Sequence, residues 1–200
     1  MECAENYQKL IARRAELLKK VDIHFRHGND FKQQGADLET QYLMEMDSID
    51  HVLDTNCIGR YKFAMEFAKK NRVNRVFDIG CAYGHQSEVF NASGIEYIGI
   101  NEHDLSPFWN KDQFKYIVKH YPFSIEATNN DMAVSILCLV WNCYLHDGDR
   151  TLNEQLESLS RDFKKALLYI PQEKISHVAK YYDKFEVYEN GMAYFAKEVE

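Results

Sequence analysis

No two of the five cysteines (Cys3, Cys57, Cys81, Cys138 and Cys143) stand in a CxxC pair, and their number is odd. That pattern suggests neither a zinc knuckle nor a disulfide framework. Reduced thiols are the simpler expectation, and with them a cytoplasmic setting. No stretch approaches the roughly 18 apolar residues of a membrane-spanning helix, and the charged start of the chain lacks the apolar core of a secretory leader. A basic excess is also missing: 24 Lys and Arg stand against 31 Asp and Glu, for a net charge of −7. Duplex nucleic acid and anionic membranes select basic surfaces, so both are disfavoured as partners. No internal repeat or low-complexity tract is visible. What is present is 46% apolar and 14% aromatic residues in a chain of 200, enough for a real core in a length usual for one domain.

The chain changes character near Asn74. Before it, apolar residues recur at helical spacing: Tyr7, Leu10, Ile11, Leu17, Leu18 and Val21, then Tyr42, Leu43, Met46, Ile49 and Val52, then a run from Tyr61 to Lys70. The polar stretch "RHGNDFKQQGAD" between the first two is expected to be the most mobile. After Asn74, short β runs alternate with helices, the signature of a parallel sheet wrapped by helices. The pattern predicts strands at Arg75 to Ile79, Tyr97 to Ile100, Lys115 to Val118, Ala133 to Val140 and Leu167 to Ile170. A helix is predicted from Leu152 to Lys165, capped by Thr151 with Glu154 and striped by Leu152, Leu156, Leu159 and Phe163. Ser106-Pro107 reads as a weaker helix start. At the end, "KFEVYENGMAYFAKEVE" sets two β runs around Asn190-Gly191, a dipeptide suited to a type I′ turn, so the parallel sheet should finish in an antiparallel hairpin.

The stretch "RVFDIGCAYGHQSEVF" carries the chemistry. Gly80 and Gly84 flank "CAY" between a strand ending near Ile79 and a helix beginning near His85. Glycine there permits tight turning and close approach of a ligand, and a helix N-terminus offers N–H groups, so the turn suits a nucleotide-like molecule. A side chain added at Gly84 is expected to enter ligand space. A bare strand-to-helix turn is the bland alternative. The second strand sharpens the reading, because it ends in "GINE" and places polar side chains where a ribose would lie at the switch point of an open sheet. NAD is the weaker ligand, since the G-x-G-x-x-G spacing is absent and its sheets need no terminal hairpin.

"VFDIGCAYG" followed by "YIGINEHD" resembles the first two motifs of class I S-adenosylmethionine-dependent methyltransferases. "NDMAVSIL" is similar to that family's fourth strand with its leading Asp, and the hairpin to its reversed last strand. The resemblance covers Tyr61 to the C-terminus. It implies a Rossmann-like three-layer α/β/α sandwich, a mostly parallel sheet with an antiparallel C-terminal hairpin, over 61–200, and an N-terminal helical extension capping the substrate side over 1–60. It also implies S-adenosylmethionine as cofactor, with Asp78 orienting the turn and the cofactor's amino acid end. Gly80, Cys81, Ala82 and Gly84 would form the turn around the cofactor, and Asn101 or Glu102 would meet the ribose. Ala82 replaces the family's middle glycine and Asn101 its ribose-binding acid. Neighbouring strand residues point to opposite faces, so Glu102 serves only if the strand has ended and the backbone turns there.

The acceptor side is less legible. Methyl transfer is an in-line displacement that needs positioning, plus a base where the nucleophile is protonated. The stretch "SILCLVWNCYLHD" lacks the prolines of nucleic-acid amino-methylating members and the Pro-Cys pair of the C5-cytosine type. A small molecule or peptide is therefore the expected acceptor. His103 as a base competes with a solvated loop histidine, and Trp141, Asn142 and Tyr144 as a substrate wall compete with packing. His146, Asp147 and Asp149 read as a polar turn, His24 and His27 as exposed helix residues, and Cys81 as a small packing residue; no metal is implied. A non-catalytic methyltransferase-like binding protein is the alternative to the enzyme.

Overall fold

The structure is a computed structural model; it describes residues 8–9, 11–20, 46, 49–50, 55–82, 84–102, 114–136, 138–139 and 149–198. The chain divides into two compact units, Met1–Ile58 and Gly59–Glu200. In the first, residues 11–20 are helical, as their spacing predicts. Only part of the expected apolar stripe is buried: Leu17 is, while Ile11 and Leu18 are exposed. Ile49 from the second run is also buried, and the neighbouring Asp50 takes a two-point ion pair from Arg14, whose Nη2–Oδ2 distance is 2.9 Å.

The second unit is built on a seven-stranded sheet. Its strands are β1 (Arg75–Ile79), β2 (Glu96–Asn101), β3 (Lys115–Val118), β4 (Asp131–Ile136), β5 (Lys165–Tyr169), β6 (Lys184–Val187) and β7 (Met192–Ala196), in the order β3-β2-β1-β4-β5-β7-β6. The first five are parallel; β7 runs antiparallel to both β5 and β6. Helix α1 (Thr55–Lys70) begins four residues before Gly59, and α2 (Ser87–Asn91), α3 (Asp149–Asp162) and α4 (Gln172–Val178) lie within this unit.

The central strands read as continuous apolar runs because both faces are covered, and their alternation sorts side chains into two cores. Phe77, Ile79, Ala133 and Leu168 face one way and pack with Leu152, Leu156, Leu159 and Phe163 of the α3 segment. Val76, Tyr97, Val134 and Leu167 face the other, where Tyr61, Ala64 and Ala68 of α1 and Phe90 of α2 cover them. The three-layer α/β/α sandwich with its terminal antiparallel pair is therefore as expected.

Several boundaries move, each for a physical reason. β4 starts at Asp131 and stops at Ile136, whereas Cys138 and Leu139 are already helical. An unbroken apolar run cannot by itself separate a buried strand from the helix that follows. The helix predicted from Leu152 to Lys165 spans Asp149–Asp162, so Thr151 lies inside it, and Glu154 pairs with Arg150 at 3.2 Å. Phe163 keeps the apolar spacing one residue past the helix end, which is what extended the pattern. The hairpin is not closed by a type I′ turn. Gly191 N–H donates to Tyr188 O and Tyr188 N–H to Met192 O, both at 2.9 Å, and Gly191 alone in the turn has positive φ (79°). That is a three-residue connection with glycine in the left-handed position.

At the opposite end from the strand tips, Arg75 and Asp131 open two neighbouring strands in register and form a two-point ion pair, with Nε–Oδ1 at 2.9 Å. Asp131 is buried, which raises its pKa, but the Arg75 guanidinium and the Thr128 N–H at 2.6 Å outweigh burial and hold it below the usual carboxylate value. Removing the cation strands a buried charge. Arg75→Ala is expected to cost about 3–5 kcal/mol in urea denaturation at neutral pH. The stabilisation from Asp131 is present above its unfolded pKa and is lost as pH falls through its lower folded value, so the variant's deficit should shrink in acid.

Candidate functional site

From β1 the chain winds outward through β2 and β3, then returns to β1's other side as β4. The order thus reverses between β1 and β4, and in open α/β sheets ligands sit outside the carboxyl ends of strands at such a point. A cleft of about 140 Å³ lies there. Ile79 and Gly80 line it from the end of β1, Ile100, Asn101 and Glu102 from β2, Lys119, His120 and Tyr121 from the segment after β3, and Cys138 and Leu139 from after β4. Gln155 of α3 completes the wall.

The turn after β1 holds its shape by its own hydrogen bonds. The N–H groups of Gly80 and Cys81 both donate to Ile100 O, at 2.8 and 3.1 Å, and Gly84 N–H donates to Cys81 O at 2.9 Å. Ser87 N–H donates in turn to Gly84 O. Of the helix N-terminal donors expected to be open to a ligand, the N–H groups of Ser87 and Val89 are spent inside the protein, on Gly84 O and Gln86 O. Gly80, Ala82 and Gly84 all take positive φ (81°, 49° and 71°). Ala82, standing where the resembled family has glycine, therefore carries a Cβ in the left-handed region; its carbonyl accepts from Tyr116 Oη at 2.9 Å.

The glycines themselves are required by packing. A Cβ on Gly80 would lie 2.0 Å from Cys138 Sγ, and one on Gly84 would lie 2.2 Å from Phe114 Cζ. Phe114 also sits over Gly99 and packs edge-on to Tyr97, with ring centroids 5.4 Å apart. The space above Gly84 thus belongs to an aromatic ring filling the α2 face of β2, which corrects the expectation that a side chain there would enter ligand space. Gly84→Val is expected to lower stability by more than about 2 kcal/mol through this collision and the unfavourable φ, visible as a shifted urea midpoint.

Asp78 lies beneath the turn, not in the cleft wall. It is 1% exposed, and its Oδ2 accepts from Gln86 Nε2 at 2.6 Å and Tyr97 Oη at 2.5 Å. Gln86 Nε2 also donates to Cys81 O at 3.0 Å, so one amide ties the carboxylate to the turn. Burial pushes the Asp78 pKa up to about 6, against the opposing pull of Gln86, Tyr97 and Tyr61. Cys81, buried beside this carboxylate, has its thiol pKa raised, chiefly by burial. A packing role fits it better than a nucleophile's.

Asn101 is the last residue of β2, in register with Val118, and the backbone bends at Glu102. Both line the cleft, and Glu102 Oε1 lies 3.2 Å from His120 Nδ1. The fold therefore brings Gly80, Asn101 and Glu102 into the cleft wall and leaves Asp78, Cys81, Ala82 and Gly84 to shape the turn behind it. Lys119, His120 and Tyr121 are not among the site residues expected from the sequence, although they follow the end of β3 as Asn101 and Glu102 mark the end of β2. Cys138, Leu139 and Gln155 carry no sequence signal. His24, His27, His103, the Ser106-Pro107 start, Trp141, Asn142, Tyr144, His146 and Asp147 lie outside the described residues, as does the polar stretch 26–37. Among the described residues no cluster of three potential metal ligands occurs and no helix is long and apolar enough to cross a membrane.

Because the folded Asp78 pKa exceeds the unfolded one, its stabilising contribution is complete below about pH 4 and is lost as pH rises through 6. At pH 7.5 the buried charge should cost on the order of 3 kcal/mol relative to acid. Asp78→Asn is expected to flatten this part of the profile. Urea midpoints of both proteins between pH 4 and 7.5 test it: parallel profiles would show that Asp78 titrates normally.

No family model matches the sequence, and no curated protein does either. Solved structures do match. Human N-acetylserotonin methyltransferase, in complex with S-adenosylmethionine, aligns with 95% of this chain and 67% of its own at 10% identity and TM-score 0.58. A TehB-like S-adenosylmethionine-dependent methyltransferase from Corynebacterium glutamicum aligns over 94% and 99%, at 14% identity and TM-score 0.52. The bifunctional kinase-methyltransferase WbdD shares 13% identity at TM-score 0.51; the alignment covers 73% of this chain and only 39% of that one. With the strand order, the reversed β7 and the cleft at the switch point, these likenesses show that the chain has the fold of the class I S-adenosylmethionine-dependent methyltransferases.

Proposed function

We propose that this protein is an S-adenosylmethionine-dependent methyltransferase acting on a small molecule or peptide. The observation that carries the reading is the cleft at the carboxyl ends of β1, β2 and β4, with Asn101 and Glu102 adjacent at the tip of β2 and apolar Ile79, Ile100 and Leu139 beside them. That donor set fits the cofactor: polar side chains suit a ribose diol and apolar ones suit a purine face. When bound, S-adenosylmethionine supplies a methyl group on a sulfonium. The chain's own part is positional. Asp78, through Gln86, fixes the turn; Gly80 sets the cleft floor; Asn101 holds the ribose; the segment 119–121 closes the far wall.

Calorimetric titration with S-adenosylmethionine and S-adenosylhomocysteine tests the reading directly. Binding with a negative heat-capacity change supports it. Absence of binding at millimolar ligand would leave the non-catalytic binding protein as the better account.

The ribose position can be tested separately. A carboxylate accepts from both hydroxyls, whereas the Asn amide has one acceptor oxygen, and hydrogen bonds to charged groups are the stronger. Asn101→Asp is expected to tighten cofactor binding by about 1 kcal/mol, roughly fivefold to tenfold, with Glu102→Gln nearly neutral. If Glu102 holds the ribose, the outcomes exchange: Glu102→Gln weakens binding and Asn101→Asp does not improve it.

A further inference from the structure

At the other end of the sheet, where β5 and β6 begin and β7 ends, lies a groove of about 390 Å³ whose lining is strongly basic. Its floor is Ala196 of β7. In register with Ala196, Lys165 of β5 stands on one side and Lys184 of β6 on the other. Directly paired residues share a face, so both lysines and the small alanine between them point the same way, and each lysine's Cβ lies about 5 Å from alanine's. Just past the strand ends, Lys197 N–H donates to Lys164 O at 2.9 Å, which holds two more lysines side by side at the rim. Tyr194 lies beside the floor, and Glu198 is the one acid among the described residues of the lining.

In a chain of net charge −7, four ammonium groups thus border one groove. None of the four forms a salt bridge, among the described residues, with any carboxylate, Glu198 included. Lys164, Lys165 and Lys197 are only half exposed, so water does not surround them as it would on an open face. Their mutual repulsion opposes folding and would be relieved by a multivalent anion between Lys165 and Lys184. The geometry points to a second ligand site, for a small phosphate-bearing anion. The five-residue length of β5 puts it about 13 Å along the strand direction from the tips that carry the cofactor cleft, so it does not rest on the methyltransferase reading.

Pyrophosphate is the probe. Isothermal titration and thermal melting are run on the full chain, with sodium chloride added to equal ionic strength as the reference. Saturable binding and a rise in melting temperature beyond the salt reference are expected, since a ligand that binds only the folded state stabilises it. The double variant Lys165→Gln, Lys184→Gln should bind at least about tenfold more weakly. Lys62→Gln, an exposed lysine on α1, should bind as the parent does. No binding beyond the salt reference, or equal losses in both variants, would overturn the site. A short duplex DNA run in parallel distinguishes a small phosphate ligand from a nucleic-acid backbone: binding of DNA in preference to pyrophosphate would also overturn it.

Discussion

A single carboxylate, Asp78, holds the working end of this fold together. It sits on the second-to-last residue of the central strand with almost no exposure, and two donors from different elements, Tyr97 of β2 and Gln86 at the start of α2, converge on one of its oxygens. Burial of a charge is unfavourable unless hydrogen bonds compensate, and here compensation is partial, as the raised pKa records. The fold accepts that cost at the spot where β1, β2 and the glycine turn must keep one relative position. Through Gln86 the same interaction reaches Cys81 O, and through the paired N–H groups of Gly80 and Cys81 the turn is fastened to Ile100 O.

This arrangement separates two roles that the sequence merges. In a strand-turn-helix motif every residue looks like a ligand contact, because glycine and acid are read together. In three dimensions Gly84 is needed because Phe114 fills the volume beside it, Asp78 because the turn needs an anchor, and Ala82 because a left-handed residue is required there even at the strain a methyl group brings. The wall of the cleft comes from Gly80 and from the tips of strands that lie far apart in the chain.

The strands were legible as short apolar β runs, buried on both faces at the centre of the sheet and half-exposed in the edge strand β3: β1 and β3 fall on their expected residues, and β2, β4 and β5 begin one to two residues early. What an apolar run does not encode is its own end, so β4 stops four residues before the expected Val140 and α3 ends at Asp162, short of the expected Lys165. Of the eleven residues lining the cleft, Gly80, Asn101 and Glu102 were legible as site residues. Asn101 and Glu102 follow a strand whose end the pattern shows, whereas Gln155 enters from a helix that reaches the site by tertiary packing alone. Phe114 was hidden for a further reason: nothing local links it to Gly84, thirty residues earlier, until the sheet is assembled.

The hairpin gives the sheet an unusual vulnerability. β7 is later in the chain than β6, yet it lies inside the sheet, bonded to β5 on one side and β6 on the other. Arg60 reinforces that closure by stacking 3.6 Å from the Tyr169 ring, against which Gly191 packs without a side chain. β6, exposed along its whole length, pairs with no strand but β7 among the described residues. A nascent chain halted before Met192 would therefore carry an open β5 edge of buried-type residues and a β6 segment with nowhere to pair. Such an intermediate invites strand exchange between copies. The sheet closes only when β7, through Ala196, is available to pair with both β5 and β6.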